Sequence, residues 1–297
     1  MDVALVFPQE CGNIALLERQ LMEPPTVTLG SSKQKRIVIV GGHDLACLCL
    51  DYLVSNSYKV VLCIGRRDDE GQDSIFPSLL HRAQKHGIPS IRPENINSPE
   101  TLGVVEDARA DVVLSIHNNQ IFRGGWFDLF EGKPGIVNSH YAPLPRYAGY
   151  WPELWAIWND EKDFAVTIHY IDRGVDTGNI IAQYPVVISD DDTRKTLHDR
   201  CTQVSFKMIT DRLDVILDGR VEGQPQDLSK RTYCKRELPN DGFVDWGWEP
   251  QRIRRFYRAL SFPPFAGPKI RIGDRVISSV DGDLEFFKPV FLEQGKY

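Results

Sequence analysis

The chain lacks the hydrophobic segments that would tie it to a membrane. None of its 297 residues belongs to a run of about 18 consecutive apolar residues, the length that a membrane-spanning helix requires. The first ten residues, MDVALVFPQE, have no basic segment and only a short apolar run, so we expect no signal peptide. We therefore predict a cytoplasmic protein that does not contact a membrane.

An excess of basic residues is also missing. Lys and Arg total 35 against 41 Asp and Glu, which gives a net charge of −6. Tight nonspecific binding of nucleic acid needs a strongly positive face. The balance argues against a nucleic-acid partner, although it is compatible with a small basic patch.

Cysteine is scarce, and no two cysteines have the CxxC spacing of a structural zinc site. Three of the six lie inside apolar segments, which is typical of buried reduced thiols in a cytosolic protein. We expect free thiols and no metal site. The six are Cys11, Cys47, Cys49, Cys63, Cys201 and Cys234.

Strands and helices alternate through the middle of the chain. Short apolar runs predict five strands, and helical segments separate them, which is typical of a doubly wound, Rossmann-like and mostly parallel α/β sheet. The first turn, VGGHDLA, has adjacent Gly41 and Gly42 but no third glycine, so it does not match a dinucleotide fingerprint. A helix is expected over about 76–86, between the second and third strands. The predicted strands are 36–42, 59–65, 87–91, 111–116 and 135–140.

The later sequence breaks this alternation. Residues 164–172 and 179–188 predict two strands joined by a tight loop, hence an antiparallel hairpin added to the sheet. Residues 190–219 predict a long amphipathic helix. We expect an N-terminal arm at 1–32, a catalytic domain at 33–222 and a C-terminal appendage of α+β or β-rich type at 223–297. The appendage contains a basic helix and a hairpin around Gly273–Asp274.

Two polar residues occur where the fifth predicted strand ends. Asn138 and His140 are two positions apart, so they point to one side of a strand, at the sheet edge where open α/β sheets bind ligands. Histidine transfers protons near pH 7, and an amide can stabilise a developing oxyanion. Asp176, in a loop with Gly174 and Gly178, is a candidate to orient the imidazole. From spacing alone, a structural histidine and a turn-forming aspartate remain open.

Two motifs make the assignment more specific. NSHYAPLPRYAG, at 138–149, and DRGVDTG, at 172–178, closely resemble the formyltransferase family that uses 10-formyltetrahydrofolate. That family has Asn-x-His followed by a Leu-Pro-x-x-x-Gly loop, and later Asp-x-Gly-x-Asp-(Thr)-Gly. The resemblance extends from about residue 36 nearly to the C-terminus. Ala148 stands where relatives often have Arg, and HNNQIF (117–122) is less typical.

The resemblance implies the roles of the site residues. Asn138 and His140 would stabilise the oxyanion that forms when an amine attacks the formyl carbon, His140 would relay the amine proton, and Asp176 would stabilise the imidazolium. The folate would contact two irregular segments, chiefly through backbone groups, and no metal is required. The residues expected to contact the folate are Gln120, Ile121, Phe122, Asp172, Arg173, Gly174 and Val175.

The formyl acceptor is less constrained. The family formylates initiator methionyl-tRNA, glycinamide ribonucleotide, or amines of nucleotide-linked sugars for surface polysaccharide such as lipopolysaccharide O-antigen. The acidic loop RRDDEGQDS argues against tRNA, and the ribonucleotide enzymes are normally shorter. We therefore expect a homodimeric sugar N-formyltransferase, with the dimer surface in the appendage and Tyr150 and Trp151 stacking on the acceptor. Methionyl-tRNA formyltransferase and a silent folate- or nucleotide-binding module are the alternatives.

Overall fold

The computed structural model describes residues 32–272 and 274–278. The predicted arm, apart from Ser32, lies outside the described residues, and so do Gly273 of the predicted hairpin and residues 279–297.

Eleven strands and seven α-helices make up the described part of the chain. The strands are β1 Arg36–Gly41, β2 Lys59–Gly65, β3 Ser90–Ile91, β4 Val112–Ile116, β5 Gly135–His140, β6 Ala148–Gly149, β7 Asp163–Tyr170, β8 Ile180–Val187, β9 Tyr233–Cys234, β10 Lys269–Ile272 and β11 Arg275–Ser278. The helices are α1 His43–Ser55, α2 Leu79–Lys85, α3 Pro99–Asp107, α4 Gly125–Leu129, α5 Pro152–Trp158, α6 Arg194–Leu217 and α7 Pro250–Leu260.

Seven strands form one mixed sheet in the order β3-β2-β1-β4-β5-β7-β8. The first five are parallel, and β7 pairs antiparallel with both β5 and β8. The predicted doubly wound sheet with an added antiparallel hairpin is confirmed. The strand order reverses between β1 and β4, where sheets of this kind open a crevice for ligands.

Helices cover both faces of the sheet. On one face α1 and α6 pack against the side chains of β1, β4 and β7, and on the other α3 and α4 enclose a smaller core around Trp126. The long helix α6 begins with a capping box in which Thr193 and Thr196 exchange hydrogen bonds with each other's backbone. None of the described helices is long and apolar enough to cross a membrane.

Two predicted elements are shorter than expected. The helix expected over 76–86 begins at Leu79, because the Ser78 side chain accepts a hydrogen bond from His81 N and caps it there. The strand expected over 87–91 is only Ser90–Ile91. Gly87 has a φ of +65°, which is not extended backbone, and Pro89 has no N–H to donate, so only the Pro89 carbonyl, which accepts from Cys63 N, joins the ladder before Ser90.

The C-terminal segment forms two small sheets apart from the seven-stranded one. Strand β9 pairs parallel with β6, while β10 and β11 form an antiparallel hairpin. Helix α7 packs mainly on α5. All five described cysteines are buried and free, and burial raises the pKa of Cys47, Cys63 and Cys234 to about 12, which keeps these thiols protonated.

Candidate active site

The strand pairing brings three polar side chains to one face of the sheet. Asn138 and His140 lie two residues apart on β5, and Asn138 is directly opposite His169 on β7. The period of two along each strand points all three to the same side. His169 was not among the predicted site residues. A histidine inside the apolar run FAVTIHYI is the signal that could have indicated it.

A chain of hydrogen bonds fixes the orientation of the Asn138 amide. Ser115 Oγ donates to Asn138 Oδ1 at 2.8 Å, and Asn138 Nδ2 lies 3.1 Å from His169 Nε2. His169 Nδ1 lies 2.8 Å from the Tyr170 carbonyl, which can only accept. Nδ1 therefore carries the proton and Nε2 accepts from Asn138. One N–H of the amide is committed to His169, and the other is available to a bound group.

Asp176 faces both histidines. Its Oδ2 lies 3.9 Å from His140 Nε2 and its Oδ1 lies 3.7 Å from His169 Nε2, so these contacts are electrostatic rather than hydrogen bonds. Burial alone would raise the pKa of Asp176. The neighbouring His140 and the Gly149 N–H nevertheless hold this pKa below its usual range. Asp176 is thus an anion that can stabilise a protonated imidazole.

The Leu-Pro loop links the histidine to the carboxylate. The Tyr147 carbonyl lies 3.1 Å from His140 Nε2, and Gly149 N donates to Asp176 Oδ2 at 2.8 Å. Gly149 has a φ of +96°, and a Cβ there would lie 2.5 Å from the Cys234 carbonyl oxygen. Only glycine fits between β9 and the carboxylate, which gives the motif glycine its physical reason.

The side chains of His140 and Asp176 are more exposed than the side chain of His169. The side chains of His140 and Asp176 retain 11% and 15% of their accessible surface, whereas His169 retains 2%. A substrate can therefore reach His140 and Asp176. His169 lies behind them, and it orients Asn138 rather than contacting a substrate.

The segment after β4 that is predicted to contact the folate is held by hydrogen bonds from neighbouring side chains. Asn118 holds both Gln120 N and Gln120 O with its side-chain amide, and the Ile121 carbonyl accepts from Asn97. Phe122 is buried against Trp126. The backbone N–H groups of Ile121 and Phe122 have no hydrogen-bond partner among the described residues.

The second segment predicted to contact the folate is a turn that is held by its own hydrogen bonds. The Asp172 carboxylate accepts from Gly174 N and from Thr177 Oγ1. The Val175 carbonyl accepts from Arg231. The Arg173 guanidinium stacks 5.1 Å from the Phe127 ring centroid of α4, which joins this turn to the face of the sheet that holds His140.

The two predicted acceptor residues differ in their environment. Tyr150 is 41% exposed, and the Arg236 guanidinium lies 5.9 Å from its ring centroid. Trp151 packs partly buried against the core, with Arg194 5.2 Å above its ring. Tyr150 is therefore free to stack on a ligand, whereas Trp151 already has protein on one face.

Three histidines from separate segments meet beside the crevice between β1 and β4, and sequence spacing gave no sign of them. The His43 ring stacks on Phe76 at 3.8 Å, and His117 lies 5.6 Å from His43 and 5.5 Å from His198. Burial lowers the pKa of His43 to about 3 and the pKa of His117 well below its usual value. His43 and His117 are thus neutral rings that wall the crevice.

The glycines of the first βα turn serve packing. A Cβ on Gly41, which has a φ of +140°, would lie 1.7 Å from the Ile116 carbonyl oxygen, so the two central strands could not approach. No group of three or more His, Cys, Asp or Glu side chains within residues 32–272 and 274–278 is arranged to hold a metal ion.

The fold is that of a one-carbon transferase. A sequence model of the family described as formyl transferase matches residues 35–213. A methionyl-tRNA formyltransferase of Geobacter sulfurreducens is 30% identical over 235 residues, which is 78% of this chain and 73% of that protein. The chain belongs to the formyl transferase family and is an enzyme of that class.

Solved structures agree on the fold. An N-formyltransferase from Helicobacter canadensis, crystallised with folinic acid and dTDP-3-aminofucose, has a TM-score of 0.64 and 23% identity, covering 84% of this chain and 97% of its own. Phosphoribosylglycinamide formyltransferase from Bacillus halodurans has a TM-score of 0.55 and 26% identity, covering 62% of this chain and 95% of its own. The ribonucleotide enzyme thus matches a smaller share of the chain.

Proposed function

We propose that this enzyme transfers a formyl group from 10-formyltetrahydrofolate to the primary amine of a nucleotide-linked amino sugar. The observation that carries the proposal is the cluster of Asn138, His140 and Asp176 on one side of the sheet, where His140 Nε2 lies 3.9 Å from Asp176 Oδ2. It combines a free amide N–H, a reachable imidazole and an anion. The chemistry of formyl transfer to an amine needs these three groups.

The proposed mechanism assigns one task to each group. The amine attacks the formyl carbon, and charge develops on the formyl oxygen. The uncommitted N–H of Asn138 stabilises that charge, and a well-placed donor of this kind contributes about 10²–10³-fold to the rate. His140 receives the proton that leaves the amine, and Asp176 stabilises the resulting imidazolium. The bond between the formyl carbon and N10 then breaks, the imidazolium returns its proton to N10, and tetrahydrofolate leaves. General acid–base catalysis contributes roughly 10²–10⁴-fold.

The donor fits between the two irregular segments. The free N–H groups of Ile121 and Phe122 and the exposed turn from Asp172 to Val175 would hold the pterin through backbone contacts. Gln226 Nε2 donates to the Asp176 and Gly178 carbonyls, and its Oε1 is buried without a hydrogen-bond partner. An unpartnered buried acceptor is suited to an N–H donor such as a pterin amine.

A nucleotide-linked sugar suits the acceptor side. Tyr150 offers an exposed ring to a sugar or base, and Arg236 offers a cation beside it that a diphosphate can contact. Trp151 would contribute only the edge left open by Arg194. The H. canadensis enzyme, whose crystals contain a dTDP-linked amino sugar, shares the fold over most of this chain.

The charges of the loop after β2 favour a small acceptor over tRNA. Arg66 forms a two-point ion pair with Asp68, and Arg67 contacts the Glu94 carbonyl and the Gln120 side chain. Both arginines of this loop are thus committed within the protein, and neighbouring Glu70 adds negative charge. An RNA phosphate backbone would find little to pair with there.

Methionyl-tRNA formyltransferase is the second candidate, because the G. sulfurreducens enzyme of that activity is 30% identical to this chain. A silent folate- or nucleotide-binding module is disfavoured by the complete Asn138, His140 and Asp176 set. We further propose a cytoplasmic homodimer acting in surface-polysaccharide synthesis, such as that of O-antigen.

The test is formylation of a panel of dTDP- and UDP-linked amino sugars with 10-formyltetrahydrofolate as donor, monitored by mass spectrometry. At least one sugar should yield its formamide, and His140→Asn should abolish turnover while still binding folate. The sugar assignment fails if no panel member reacts while charged initiator tRNA does.

A further inference from the structure

A second cavity lies behind the Leu-Pro loop. It has a volume of about 730 Å³ and is bounded by α5, by the loop from Arg146 to Tyr147 and by the segment 232–241. Its lining does not include Asn138, His140 or Asp176. Cavities of roughly 300–1,000 Å³ commonly hold small molecules. It is therefore large enough for a ligand of its own, separate from the reacting groups.

One wall of the cavity is held rigid by hydrogen bonds. The Tyr147 hydroxyl donates to Glu161 Oε1 at 2.7 Å and accepts from Asn159 Nδ2 at 3.1 Å. Arg146 donates to the other Glu161 oxygen at 3.2 Å. These side chains are positioned before any ligand arrives, which lowers the ordering cost of binding.

The same wall contains a buried donor with no partner. Trp155 lines the cavity from α5, and its Nε1 is buried and makes no hydrogen bond within the described chain. Buried indole N–H groups normally have an acceptor. An oxygen of a bound molecule would supply one.

The opposite wall brings charges of both signs. Lys235, Glu237 and Asp241 line it without an ion pair among the described residues, beside the exposed ring of Tyr233. Together with the Arg146–Glu161 pair, the lining has two positive and three negative side chains. A phosphate or carboxylate ligand would meet net repulsion, so the nucleotide part of an acceptor does not suit this cavity.

We propose that this cavity is a binding site for a saccharide that carries no anionic group. Carboxylate and amide side chains accept hydrogen bonds from sugar hydroxyls, and the Trp155 N–H donates to a sugar oxygen. The exposed ring of Tyr233 offers an apolar face to the C–H groups of a pyranose. The site does not depend on the proposed reaction, because no reacting residue lines it.

Saturation-transfer NMR on the whole protein tests the site with matched probes. Glucose, glucosamine and cellobiose should receive saturation, and glucose 6-phosphate should receive much less. Trp155→Phe removes the N–H and keeps a ring, and it should weaken the neutral sugars about tenfold. The control is Trp158→Phe on the same helix, where the ring packs on Trp248 and Phe256 outside the cavity and sugar binding should not change.

A charge reversal tests the electrostatic step separately. Glu237 is exposed, so Glu237→Lys should fold normally and should increase binding of glucose 6-phosphate relative to glucose. The proposal is overturned if no neutral sugar binds, if Trp155→Phe with a wild-type melting temperature binds them equally well, or if glucose 6-phosphate is the preferred wild-type ligand. None of these results bears on formyl transfer, which is measured without these probes.

Discussion

Replacing His169 tests whether a residue that contacts no substrate controls the oxyanion donor. In wild type its Nε2 accepts from Asn138 Nδ2 at 3.1 Å, and its side chain is 2% exposed. His169→Leu keeps the volume apolar but removes the acceptor. The Asn138 amide is then held only by Ser115 and can rotate away from the formyl oxygen.

The size of the effect follows from this geometry. Loss of one oxyanion donor lowers kcat by about 10²–10³-fold, and misplacement approaches that loss. Leaving the amide N–H unpaired in a buried site also costs about 1–3 kcal/mol of stability. We expect kcat to fall about a hundredfold, with little change in KM for the folate because the donor segments are untouched.

Steady-state kinetics and thermal melting together separate positioning from folding. His169→Gln restores a side-chain acceptor for Asn138 and should recover most of the rate lost in His169→Leu. A folded His169→Leu protein with near wild-type kcat would refute the positioning role. Equal loss in the Leu and Gln variants would show that the imidazole acts in some other way.

Three further predictions concern the neighbours of this network. Gly149→Ala should lose most activity and melt earlier, because its Cβ would meet the Cys234 carbonyl at 2.5 Å. Gly87→Ala, which shares a positive φ but has nothing within 4 Å, is the matched control, measured by kcat and Tm. Ser115→Ala should lower kcat less than His169→Leu, since the bond from Asn138 Nδ2 to His169 still fixes the NH₂ end of the amide, which is the end that donates to the formyl oxygen; a larger loss in the same kinetic assay would contradict this order. Asp176→Asn should lower kcat and also melt below wild type near neutral pH. The folded pKa of Asp176 is lowered, so its carboxylate stabilises the fold above the unfolded pKa of about 3.9 and loses that contribution as pH falls through the folded pKa. The difference in Tm should therefore close in acid, and a constant difference would count against the carboxylate's role.

The sheet was predictable because its signals are local. Apolar runs such as 36–41 are buried on both faces, and the later hairpin is marked by alternating residues around a glycine-rich loop. The residues at which α2 and β3 begin were not predictable, because they depend on the single Ser78 cap and on the backbone of Gly87 and Pro89. Patterns averaged over several residues do not locate such points.

Some residues of the candidate site were likewise predictable from the sequence, and others were not. Asn138, His140 and Asp176 lie in motifs whose spacing is visible, and the fold brings them together. The roles of His169 and Ser115 depend on register between strands that are 23 and 31 residues from Asn138 in sequence. The three crevice histidines are the first residue of α1, the residue after β4 and a residue of α6, so no sequence window contains them. These residues could not be predicted because their contacts depend on pairing between segments that are distant in sequence.

The central claim is that Asn138, His140 and Asp176 direct a formyl group to a sugar amine. The most direct measurement is a competition with 10-formyltetrahydrofolate labelled in its formyl group. A nucleotide-linked amino sugar and charged initiator tRNA are present together at equal concentration, with wild type and His140→Asn in parallel. We predict that wild type places the label on the sugar nucleotide and that the variant labels neither. Label found on the tRNA, with none on the sugar, would contradict the proposed acceptor.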